Sequence, residues 1–163
     1  MKTNKTDLRT YGINPAKGRK YENVTYVLAL IYSILQTRVE KQLAPCGLTP
    51  VQFNLLMLAA YQNNGNGLKQ AEMGKRLIAS ASNVTKLVDK SVKEGLLSRA
   101  QNPQSRRENI IKITAKGQKL IDKVWPEYDQ LVRRLTDRIP AKQQRAAAEI
   151  LNNWLENLQQ EDK

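Results

Sequence analysis

Two helical patterns set close together constrain this chain more than anything else in it. The first, residues 70–77, is short and offers Ala71, Met73, Gly74 and Leu77 for packing. The second, residues 80–95, repeats Val84, Leu87, Val88 and Val92 at three- and four-residue steps, which draws one apolar stripe along a helix. Ser80 can cap its start through the side-chain hydroxyl, and Gly95 can take the left-handed conformation that ends a helix. Two helices joined this closely form a helix-turn-helix, whose second helix fits the DNA major groove.

The face opposite the stripe carries Ser82, Asn83, Thr85, Lys86 and Lys90. Ser82 and Asn83 can hydrogen-bond base edges, Thr85 can offer its methyl to thymine, and Lys86 can reach guanine or a phosphate. The plainer alternative is that these residues only solvate a helix face. Ser80 fits a cap better than a base reader, although its hydroxyl can also meet a phosphate. Beyond Gly95, residues 96–100 and 109–114 read as two strands, with Ile111 and Ile113 alternating on one face. The polar stretch 101–108 between them is expected to form a hairpin tip bearing Arg106 and Arg107. These arginines suit a narrow minor groove or the phosphate backbone. For Arg99, a phosphate or wing contact and a solvent-exposed charge stand equally open. A helix-turn-helix followed by a basic hairpin is a winged helix.

Charge placement separates the two readings of the polar face. The net charge is +12, of which residues 66–119 carry +8 and residues 1–20 carry +5; residues 21–65 balance and residues 120–163 sum to −1. Basic excess gathered on the helix-turn-helix segment and one tail is the footprint of a polyanion-binding module. Histidine is absent and Cys46 is the one cysteine. No intrachain disulfide can form, His-based acid/base catalysis is excluded, and a zinc site would need several carboxylates. The expectation is a binding protein, not an enzyme, with no cofactor and no metal. The polar first twenty residues and the lack of an apolar run of membrane-spanning length point to a soluble, cytoplasmic protein with no membrane partner.

Residues 1–20, with Gly12, Pro15 and Gly18 among basic residues, read as a flexible basic arm or as a solvated tail with no role. From Tyr21, residues Val24, Val27, Leu28, Ile31, Ile34, Leu35, Val39 and Leu43 line one side of a long helix. Pro45 and Gly47 stop it. The next helix opens at Thr49-Pro50-Val51-Gln52, a capping-box spacing with proline at the first helical position, and Leu48 and Phe53 stand at staple spacing. Thr114 can cap a fifth helix, in which Pro126 predicts a kink or a break. Pro140 opens a sixth with Ala147, Ile150, Leu151, Trp154, Leu155 and Leu158 on one side. The apolar faces of the first helix and of the last two, the fifth carrying Leu120, Ile121, Val124, Tyr128, Leu131, Val132 and Leu135, exceed what a winged helix can cover, and a second copy of the chain would cover them. Cys46 fits an inert or buried thiol better than a redox switch. Tyr32, Trp125 and Tyr128 fit core positions by spacing and could also line a pocket.

These residues resemble the MarR family of bacterial winged-helix transcription regulators over roughly residues 24–158. The resemblance rests on Val84-Thr85-Lys86-Leu87-Val88-Asp89-Lys90, on Glu94-Gly95-Leu96-Leu97 with Arg99, on Asn102-Pro103-Gln104-Ser105-Arg106-Arg107, and on Ile111-Lys112-Ile113-Thr114 with Gly117. Ser105 stands where the family usually has aspartate, and Ile78 where the turn often has glycine. The resemblance implies a mostly α fold with a small β-hairpin wing. It places a winged helix-turn-helix at about 49–114 between dimerisation helices at about 21–44 and 115–160, in one domain of residues 21–163. It also implies a homodimer on double-stranded, pseudo-palindromic DNA, a repressor often released by a small aromatic ligand. The alternative is a nonspecific architectural DNA-binding protein.

Overall fold

The computed structural model describes residues 8–12, 20–62, 66–77, 81–102 and 105–161. Within the basic arm, Leu8–Tyr11 form a 3-10 turn, and the Tyr11 ring meets that of Tyr26 with centroids 6.1 Å apart. This stretch therefore rests on the first helix, α1, which spans Lys20–Leu43. Residues 1–7 and 13–19 lie outside the described residues. A 3-10 turn at Ala44–Cys46 ends α1, and Gly47 takes a φ of 70° there. Helix α2 spans Pro50–Tyr61; Thr49 is its N-cap, accepting the Gln52 N–H at 3.2 Å. Leu48 and Phe53 are both buried, as staple residues must be to fix the chain's entry angle.

Next come strand β1 at Leu68–Lys69, helix α3 at Gln70–Arg76 and helix α4 at Ala81–Lys93. Strands β2 (Leu97–Asn102) and β3 (Ser105–Ile113) follow, then helices α5 (Ala115–Thr136) and α6 (Ala141–Glu161). The strands form one antiparallel sheet in the order β1-β3-β2. Pairing of Leu68 with Ile111 and Lys69 with Ile110 ties the start of the helix-turn-helix to the wing. Gly67 makes that approach possible: its φ is 92°, and a Cβ there would lie 2.7 Å from the Ile111 carbonyl oxygen.

Two expectations need correction. The sequence places residues 101–108 in a hairpin tip, but β2 and β3 stay paired as far as Asn102 and Ser105, so Arg106 and Arg107 belong to strand β3. Backbone pairing carries these strands without an apolar face at that end, and Asn102 there is buried with its amide donating to Glu108. Of the kink or break expected at Pro126, the break does not occur: α5 runs through it. Val124 before the proline and Leu131 after it are both buried, so both halves of the helix pack inward.

The core sits where α2, α4, α5 and the sheet meet, around Phe53, Leu56, Val88, Leu97, Ile111 and Ile121. The Phe53 and Tyr128 rings join α2 to α5 with centroids 4.8 Å apart. By contrast α6 has no buried residue, and its Ile150 is 67% and Leu155 53% exposed. On α1, Val24, Ile31 and Ile34 are exposed too. Among the described residues, no single helix is long and apolar enough to cross a membrane.

Candidate nucleic-acid interface

The apolar stripe decides which way α4 faces. Val84, Val88 and Ser91 turn into the core, and Asn83, Thr85, Lys86 and Lys90 are exposed on the other side. Ser80 lies outside the described residues, and the Ser82 side chain is outside the description although the residue is in α4. On this outward face, Gln70 Nε2 of α3 donates to Thr85 Oγ1 at 3.3 Å. The bond takes one acceptor position of the hydroxyl, and the Thr85 methyl is on the same exposed residue for an apolar contact with a base. Lys90 Nζ lies 3.7 Å from Glu94 Oε1, an exposed i,i+4 pair that leaves most of its charge effective at the surface.

A charge pair links the wing to α4. Arg99 on β2 donates from its guanidinium to Asp89 Oδ1 on α4 at 2.5 Å. The sequence reading left Arg99 open between a nucleic-acid contact and a free surface charge; its partner in the protein is Asp89. Asp89 and Arg99 carry opposite charges at the C-terminal part of α4 and the start of β2, which is the signal that could have paired them in advance.

A second brace lies at the foot of the wing. Glu108 on β3 accepts from Lys69 Nζ at 3.1 Å and from Asn102 Nδ2 at 3.0 Å. The Lys69 bond, then the Asn102 bond, hold the Glu108 carboxyl below the usual glutamate range, and the same carboxylate raises Lys69. Between α3, α4 and the wing runs a cleft of about 530 Å³ lined by Lys69, Gln70, Lys75, Thr85, Glu108 and Asn109. Arg106 and Arg107 belong to the same strand; their side chains are outside the description. Sequence reasoning missed Gln70, Asp89, Lys69 and Glu108, all of which act on neighbours far along the chain.

A separate, mostly apolar cavity of about 590 Å³ opens between α1, α2 and α5, with Tyr32, Gln36, Asn54, Tyr128 and Arg138 among its lining residues. Tyr32 and Tyr128 are thus pocket residues, whereas Trp125 stacks on Tyr128 from outside it, with centroids 5.7 Å apart. Cys46 is a free thiol, half-buried against the core.

A helix pair whose second member shows a polar, basic face beside a three-stranded wing defines a winged helix-turn-helix protein. Residues 48–109 match the model of the MarR family. Among its relatives is the HTH-type transcriptional regulator MhqR of Bacillus subtilis (strain 168), 28% identical over 115 residues, 68% of this chain and 77% of that protein. Among solved structures, the fold is similar to Sco3205, a MarR family transcriptional regulator from Streptomyces coelicolor in complex with DNA. The TM-score is 0.78 at 24% identity, over 85% of this chain and 87% of that one. It is also similar to CouR from Rhodococcus jostii RHA1 bound to p-coumaroyl-CoA, with a TM-score of 0.68 at 25% identity, over 85% and 91% of the two chains.

Proposed function

We propose that this protein is a cytoplasmic, sequence-specific DNA-binding transcriptional regulator of the repressor type, acting as a homodimer on a pseudo-palindromic operator. The observation that carries the reading is the outward face of α4. Asn83, Thr85, Lys86 and Lys90 stand exposed together beside the wing, in the segment that holds +8 of the net charge. Ser82 belongs to the same helix, Ser80 immediately precedes it, and Arg99, Arg106 and Arg107 complete the set on the wing strands. Residues of α4 read base edges in the major groove while the wing arginines hold the minor groove or backbone. The function is binding, not catalysis.

The homodimer reading is supported by the uncovered apolar faces of α1 and α6, which a two-fold partner would bury. It takes residues 21–163 as one domain, with the flanking helices as the dimerisation element and residues 1–20 as a basic arm. The cavity between α1, α2 and α5 has the apolar lining, two tyrosines and few polar groups that suit a small aromatic effector.

Fluorescence anisotropy at fixed salt tests the reading, using a duplex selected by the protein from a random library and a scrambled duplex. A regulator should prefer the selected duplex by about a thousandfold or more. Affinities within a few-fold of each other would instead establish a nonspecific architectural protein. Sedimentation at micromolar concentration is expected to give the mass of two chains, and the mass of one chain would defeat the homodimer.

A further inference from the structure

The first turn of α2 makes only half of the capping box its sequence spells. Thr49 Oγ1 accepts the Gln52 N–H, but the Gln52 side chain, which in a capping box reaches back to the N-cap, is turned into the core. The residue is 1% exposed. Its Nε2 donates to Glu94 Oε2 at 2.7 Å and lies 3.5 Å from Ser91 Oγ, and its Oε1 has no hydrogen-bond partner among the described residues. A buried amide with an unsatisfied oxygen costs stability that an apolar side chain of the same size would not. Stability alone therefore does not explain glutamine at this position.

What the amide supplies is direction. Of the other side chains that turn α4 inward, Val84 and Val88 are apolar, and apolar contact tolerates sliding and small rotations; Ser91 is polar, but its hydroxyl approaches the same Gln52 amide, at 3.5 Å. The Gln52 to Glu94 bond is charge-assisted and holds one geometry. It acts where the backbone is also pinned, since the Glu94 carbonyl accepts from Lys116 Nζ and the Gly95 carbonyl from Thr114 Oγ1, both at 2.7 Å. Thr85, on the reading end, is roughly 13 Å away along the helix axis, and a tilt of about 5° about the anchored end moves it by roughly 1 Å. A hydrogen bond to a base edge does not survive such a displacement.

We infer that Gln52 is a positioning residue: its bond to Glu94 sets the tilt of α4, and sequence discrimination depends on it. The inference rests on the DNA-binding function proposed above. Wild type, Gln52→Met, Glu94→Met, the double variant and Glu94→Gln are compared as full chains, each titrated at one salt concentration with the wild-type-selected duplex and with a scrambled one. Methionine keeps the volume and drops the polar atoms, so the melting temperature of Gln52→Met is expected at or above that of wild type. Its preference for the selected duplex is expected to fall about tenfold, the size of one charge-assisted hydrogen bond, with binding to the scrambled duplex unchanged. The double variant should lose no more than either single variant, and Glu94→Gln, which keeps an acceptor oxygen, should retain most of the preference. Undiminished preference in Gln52→Met, or additive losses in the double variant, would overturn the inference. Should Gln52→Met fail to fold, Glu94→Met at the exposed end of the same bond decides the question by the same comparison. A wild type that itself shows no preference defeats the DNA-binding function, and this inference with it, a result distinct from a discriminating wild type with an equally discriminating variant.

Discussion

Arg99 and Asp89 close a short bridge between the wing and the helix that faces outward beside it: β2 donates and α4 accepts, at 2.5 Å. The side chains are 32% and 53% exposed, so the pair works in partly solvated surroundings and its strength must be modest. A double-mutant cycle with Asp89→Ala and Arg99→Ala, read by urea unfolding, is expected to show a coupling of about 0.5 kcal/mol and no more than about 1 kcal/mol. Raising the ionic strength should reduce it. Zero coupling at low salt would mean that the bridge does not hold the wing.

Lys90 and Arg107 should fail differently when removed. Lys90 is exposed on α4, and Lys90→Ala is expected to weaken selected and scrambled duplexes alike, lowering the slope of log K against log salt by about 0.9. Arg107→Ala is expected to cost on the order of 1 to 3 kcal/mol on the selected duplex. Anisotropy across a salt series reads both. An unchanged salt slope for Lys90→Ala, or unchanged affinity for Arg107→Ala, counts against the corresponding contact.

Gly117 gives a prediction about stability. The first turn of α5 lies so close to the strand entry that a Cβ at this position would sit 2.2 Å from the Leu96 carbonyl oxygen and 2.9 Å from Ile113 Cγ1. Backbone cannot yield cheaply, so Gly117→Ala is expected to destabilise the fold by on the order of 1 to 3 kcal/mol in urea unfolding. A wild-type midpoint would show that α5 is not wedged against Leu96.

The brace at the foot of the wing makes a prediction about pH. Glu108 titrates below its ordinary range because Lys69 and then Asn102 donate to it. A carboxyl depressed by folding contributes stability that is present above its unfolded value and is lost as pH falls through the folded one. The brace should therefore be intact at neutral pH and open only in acid. NMR titration of the Glu108 side chain should give a midpoint below that of an ordinary glutamate, and Lys69→Met should move it back up. An ordinary midpoint that ignores Lys69→Met would remove the brace.

Much of the architecture is legible in the chain because it follows from local rules. The stop at Gly47, the cap at Thr49, the staple of Leu48 and Phe53 and the stripe of α4 all depend on neighbours within a few residues, and the structure shows each of them. What escaped depends on partners distant in sequence. Strand β1 is two residues long, too short for any alternation, and exists only because β3 offers it a ladder. The length of the wing strands was hidden by their polar residues, whose pairing is set by the hairpin and not by burial. Of the outward face of α4, the polar residues were readable, but the hold of Gln70 on Thr85 was not. The capping-box spacing at Gln52 is legible in the chain, but the inward turn of its side chain is not, since nothing local says that Ser91 and Glu94 wait 39 and 42 positions away.

That the exposed face of α4 selects bases is tested most directly by repeating selection from a random duplex library with wild type and with Asn83→Ala under identical salt. Wild type should enrich one pseudo-palindromic sequence. Asn83→Ala should enrich the same sequence with the preference relaxed at one symmetry-related pair of positions, and should bind the wild-type sequence on the order of 1 to 3 kcal/mol more weakly. Identical preferences at every position for both proteins, or no enriched sequence with wild type, would contradict base reading by this face.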